Sequence, residues 1–163
     1  MGIEGFSLHS LPREIKYFLS AFLLVLSVGY FTGISFVSHT DSTTPKGIAE
    51  NYLGNEDQAD ARVLKFEKSP REMLTIIHTH VLSVGFIFMF LGVLVWLTRL
   101  PILWKAVLTI EPFISILCTF GGLVGVWMGS VVWTYIVMVS GILMTLAYVL
   151  GVAAVLYELW GPN

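Results

Sequence analysis

The amino-acid sequence predicts an all-α integral membrane protein, a bundle of four transmembrane helices with an outer insert between the first and second. Three observations carry that prediction. Of 163 residues, 56% are hydrophobic and 12% charged, against about 45–50% and about 25% in soluble domains; mean hydropathy is +0.81. Four windows, at about 16–37, 73–98, 102–128 and 131–157, each supply the roughly 20 apolar residues that cross a hydrocarbon core of about 30 Å. Little chain remains except the insert at 38–72. Residues 1–163 therefore read as one membrane domain with no separate soluble domain.

The elements follow in order. The first span opens on Arg13 and Lys16, but its apolar run through Phe36 is longer than a signal-peptide core and no A-x-A-like site follows. It reads as a retained span. In the insert, PKG and LGN mark turns, and NEDQADARVLKFEKS reads as a short surface helix presenting Val63, Leu64 and Phe66 to the membrane or a partner. The second span begins at SPRE, where Ser69 suits the N-cap, Pro70 the first helical position and Glu72 the closing residue of a capping box. The third span carries Glu111 and Pro112 in its middle, and the turn GSVV leads into the fourth.

Lys and Arg in short loops set orientation. Arg13 and Lys16 precede the first span, and Arg99 and Lys105 flank the turn between the second and third. Both termini and that turn are expected in the cytoplasm, with the insert outside, in the inner membrane of a bacterium. Lys46, Arg62, Lys65, Lys68 and Arg71 in the insert run against this assignment, and their acidic neighbours weigh little in the rule. The tryptophans agree with the span ends: Trp96, Trp104 and Trp160 at one interface, Trp127 and Trp133 at the other. Cys118 is the one cysteine, so no internal disulfide forms, and a net charge of −2 offers no basic surface for nucleic acid.

Polar residues inside spans are functional candidates by default. His78 and His80 lie roughly 9–12 Å below the outer surface at 1.5 Å of rise per residue. Two residues apart, their rings point about 200° from each other, so one shared metal ion is not expected on an unbroken helix. His78 shares its face with Leu82, Gly85, Met89 and Gly92, leaving room for a flat macrocycle. His80 shares a bulkier face with Ile76, Val84, Ile87 and Leu91. His78 is the preferred ligand on this reading and His80 the second choice. His39, at the outer end of the first span, and Met138, in the fourth, are candidates for a second axial position. Packing alone competes for Met138, and equally for Gly29, Gly33, Gly121, Gly125 and Gly129, whose spacing suits small-residue helix contacts.

Glu111 is the other costly residue. A carboxyl group near mid-membrane must be protonated, paired or reached by water. Pro112 frees the Leu108 carbonyl from its helical donor, which favours local bending or hydration. A proton relay, a quinol hydrogen-bond partner, support for an imidazole and a bond to a backbone carbonyl all fit the residue.

The H-x-H of His78 and His80, followed by Gly85 and Gly92, resembles the haem-bearing helices of haem–copper oxidase-like core subunits and of small four-helix haem-b membrane cytochromes. The likeness covers roughly one helix. It implies haem binding, with an imidazole as axial ligand. The chain departs from the oxidase core in having too few spans and histidines for a low-spin haem and a haem–copper centre. It lacks the paired histidines on two helices of a di-haem bundle unless His39 supplies one.

No serine–histidine–acid set, H-E-x-x-H, phosphate-binding glycine loop or C-x-x-C is present. The residues thus favour electron transfer or an accessory role over independent catalysis. The expectation is a small haem-b-binding subunit of a bacterial respiratory or photosynthetic complex, exchanging electrons with quinone or a periplasmic carrier. A cofactor-free scaffold subunit and a chlorophyll-type pigment-binding subunit are the alternatives. The bilayer and other subunits are the expected partners.

Overall fold

The computed structural model describes residues 7–58, 61 and 63–162. After a single 3-10 turn at Leu8–Ser10 come five α-helices: α1 (Arg13–His39), α2 (Pro45–Leu53), α3 (Pro70–Trp96), α4 (Ile102–Trp127) and α5 (Trp133–Trp160). Four of them, α1, α3, α4 and α5, are long and apolar enough to cross a membrane. No strand occurs among the described residues. The four spans match the expected windows to within a few residues, and α2 lies in the insert.

Local chemistry explains the boundaries. At the start of α3 the Ser69 side chain accepts from the Glu72 amide at 3.3 Å while the Ser69 amide donates to Glu72 Oε2 at 2.8 Å, completing the capping box around Pro70. Prolines also stand at or just before the starts of α1, α2 and α4, where a missing amide hydrogen costs nothing.

The insert folds differently from its sequence expectation. Its helix is Pro45–Leu53, in the stretch read as turns; Thr44 caps it by accepting from the Gly47 amide at 3.1 Å. Among the described residues of NEDQADARVLKFEKS none is helical, and Ala59, Asp60 and Arg62 lie outside the described residues. The physical reason is Asn55. Its side chain accepts from the Lys65 amide at 2.7 Å and donates to the Val63 carbonyl at 3.0 Å, holding this stretch in a folded-back loop. Gly54, at a φ of 83°, makes the turn with no room for a Cβ beside Lys65 and Glu67. Val63, Leu64 and Phe66 are exposed, as expected, but from a loop.

Basic side chains finish the helix ends. Lys65 donates to the Thr40 carbonyl at 3.0 Å behind α1, Lys105 to the Trp96 carbonyl at 3.0 Å at the end of α3, and Lys16 to the Leu159 carbonyl at 2.8 Å at the end of α5. Each puts a cation on carbonyls that carry the negative end of a helix dipole. Lys65, one of the residues that ran against the charge rule, is thus engaged in a cap. Arg99 lies 3.3 Å from Glu158 and ties the α3–α4 turn to α5. At the other end of the bundle, Trp127 donates to the Lys68 carbonyl at 2.7 Å, fastening the insert to α4.

The core is a three-helix unit of α3, α4 and α5. Bilayer lipid is as apolar as the side chains, so close approach and packing must hold helices together. Gly122 and Gly125 provide it between α4 and α5: a Cβ there would lie 2.8 Å from Val137 and 2.5 Å from the Trp133 ring. Gly92 faces Thr109 between α3 and α4, and Gly151 faces Leu91 between α5 and α3. Gly29, Gly33, Gly85 and Gly121 have no neighbour within 4 Å of that position. The α1 helix is peripheral, with only Leu23 buried and every residue from 31 to 39 exposed.

Two outcomes are expected. In a Cys118→Ala background, a cysteine at Glu56 should react with an impermeant thiol reagent added to intact cells, and one at Pro162 should not. Asn55→Ala should destabilise the insert by about 1 kcal/mol, because it removes two part-buried hydrogen bonds. Hydrogen exchange at the Lys65 amide measures that loss while the spans stay protected.

Candidate functional site

The histidines sit on the outside of the bundle, on α3. Both rings are exposed within this chain. His80 Nδ1 lies 2.8 Å from the Ile76 carbonyl oxygen. A carbonyl only accepts, so Nδ1 carries the hydrogen, and in the neutral ring Nε2 keeps a free lone pair. Phe120 of α4 sets the ring from the side, with centroids 5.7 Å apart. His78 has no hydrogen-bond partner among the described residues. Because α3 is continuous from Pro70 to Trp96, the two rings diverge as the helical period requires.

The glycine face proposed for His78 is split. Gly85 is open, whereas Gly92 is closed against Thr109. The bulkier face of His80 turns partly inward, with Leu91 buried and Val84 and Ile87 packed against the core. His39 is the exposed last residue of α1. Met138 is partly buried and packed against the hydrophobic core. Among the described residues, no group of three or more His, Cys, Asp or Glu side chains could hold a metal ion. Of the two rings, only that of His80 has a hydrogen-bond partner among the described residues.

A second polar region lies inside the bundle. Ser115 Oγ donates to Glu111 Oε1, one turn back on α4, while Glu111 Oε2 is buried with no hydrogen-bond partner among the described residues. Thr119 and Ser140 join α4 to α5 at 2.7 Å. On the α1 side, the Tyr30 hydroxyl meets Thr145 at 3.3 Å and Ser27 meets the Tyr148 hydroxyl at 3.0 Å. The Tyr30 and Tyr148 rings stack face to face, 3.9 Å apart and 3° from parallel. Phe88 of α3 packs edge-on against both.

Sequence reading isolated Glu111 but missed this aromatic layer. The available signal was depth: Tyr30 and Tyr148 fall near the middle of their spans, whereas tyrosine in a membrane protein favours the interface.

A family model for the Aq_1264_TM transmembrane helical domain matches residues 42–163, from the insert through α5. The chain belongs to this family. It is a multi-pass membrane protein whose apolar faces contact the lipid bilayer. No curated protein and no solved structure matches the chain. The Aq_1264_TM domain contains α2 to α5, and with them His78, His80, Gly85, Glu111 and Met138; His39, Ser27 and Tyr30 precede it.

Tyr148 is expected to hold α1 to the domain. Tyr148→Ala should cost about 3–5 kcal/mol, the range for loss of a packed aromatic ring. Spin labels at exposed Val25 and Val149 should then report a broadened distance between α1 and α5, with the α4–α5 distances unchanged.

Proposed function

We propose that this chain is a small haem-b-binding subunit of a bacterial membrane electron-transfer complex, exchanging electrons with quinone or a periplasmic carrier. The supporting observation is the state of His80. Its Nδ1–H is held by the Ile76 carbonyl, the arrangement by which ligating imidazoles are usually oriented and made more basic. Nε2 is left to bind iron, and the exposed ring can meet a macrocycle from the membrane side. Haem iron is commonly held by histidine and supplies one-electron chemistry. This chain's part is to hold the iron, fix the ring and keep the site within the outer half of the bilayer.

The same exposure supports a subunit rather than a lone protein. A macrocycle resting on α3 would have one face covered by this chain, and a neighbouring subunit must cover the other. A chlorophyll-type pigment would use the same imidazole, because its magnesium needs one axial ligand. The scaffold reading draws on a different feature, the open Gly29 and Gly33 positions on exposed α1, which suit close approach by another helix.

Absorption spectra of the protein purified with its native partners, oxidised and reduced, test the proposal. A band that shifts on reduction is expected for haem; a band unaffected by mild reductant indicates pigment. His80→Ala should weaken binding by more than the roughly 10–100-fold that loss of a supporting hydrogen bond costs, and His78→Ala by less. A wild-type complex without a chromophore on this chain eliminates the electron-transfer reading and leaves the scaffold.

A further inference from the structure

The interior of the bundle holds an acid that the histidine surface does not use. Glu111 sits in the middle of α4, the span with the largest buried share. One carboxyl oxygen is satisfied by Ser115 and the other is buried and unpartnered among the described residues. A buried polar atom without a partner is costly. A proton on the carboxyl, or a donor brought to the free oxygen, removes that cost.

The surroundings are suited to proton exchange. Pro112 leaves the Leu108 carbonyl without its helical donor, which places a second free acceptor one turn away. In the other direction, Ser115 and Thr119 continue from Glu111 along one face of α4 in steps of four residues, about 6 Å each. Thr119 then meets Ser140 at 2.7 Å. Hydroxyl groups both donate and accept, so a row of them can pass a proton and then reset. Packing between helices accounts for paired hydroxyls but not for an orphaned carboxyl oxygen beside them.

We infer that Glu111 is a proton-binding site at mid-membrane, exchanging its proton with the aqueous phase on the insert side by way of Ser115 and Thr119. The ligand is a proton delivered by water. On the α1 side of the bundle the titratable groups are the Tyr30 and Tyr148 phenols, which stack on each other. From α3 this layer receives the uncharged Phe88. The inference is independent of any macrocycle at His80.

Two measurements on the full chain in membranes test it. Dicyclohexylcarbodiimide adds to carboxylic acids in their protonated form. It should modify the Glu111 peptide, with a yield that falls as pH rises, and Glu111→Gln should lose the adduct. Infrared spectra should show a protonated-carboxyl band that shifts in D2O and is absent from Glu111→Gln; Thr119→Val should slow that shift severalfold. The wild-type measurements stand alone if Glu111→Gln fails to fold. Absence of the adduct at every pH, a yield independent of pH, or an unchanged exchange rate in Thr119→Val would each overturn the inference. None of these readouts depends on a chromophore, so their failure and that of the haem reading are distinguishable.

Discussion

The approach of α4 to α5 sets the arrangement of the other helices. In a bilayer there is no hydrophobic force to drive one apolar helix onto another, so contact depends on how closely backbones can come. Gly122 and Gly125 remove the side chains that would collide with Val137 and Trp133. The α3 helix then settles against both partners through Gly92 and Gly151. The α1 helix is held by aromatic contacts, Tyr30 on Tyr148 and Phe22 on Phe90, by two hydroxyl pairs, and by bonds of Lys16 and Ser20 to the end of α5. Burial falls accordingly, from 39% of the apolar window in α4 to 11% in α1.

That hierarchy separates two kinds of polar residue. Ser115, Thr119 and Ser140 are buried between the tight helices, and so is Oε2 of Glu111, where an unpaired atom is expensive. The imidazoles of α3 are on the outside, where the chain itself does not surround them. A ligand on the histidine surface would be shared with whatever lies beside it, whereas Glu111 is bonded within its own helix.

Much of the fold was legible in the sequence. Hydrophobic runs are read directly by the bilayer, which allows only helices or closed barrels to cross it, and the Ser69–Glu72 box is a local code that tertiary packing left alone. The insert was less legible because its conformation depends on Asn55 reaching Val63 and Lys65, eight and ten residues away, which no helical period records. Glycine spacing likewise did not distinguish Gly92, which packs, from Gly85, which does not. Nor does residue type record that the His80 ring meets the Ile76 carbonyl, a contact that depends on its rotamer.

The attachment of α1 has a consequence for how the protein is made. Its hydroxyl partners, Thr145 and Tyr148, follow Tyr30 and Ser27 by 115 and 121 residues. At a synthesis rate of about 5–20 residues per second, the first helix leaves the ribosome roughly 6–24 s before those partners exist. During that interval the Tyr30 and Ser27 hydroxyls lack them, and the Lys65 cap on Thr40 and the α3 rings Phe88 and Phe90 are available earlier than any contact with α5. The last helix to be translated therefore completes the placement of the first, and a chain interrupted before α5 would leave α1 tethered but undocked.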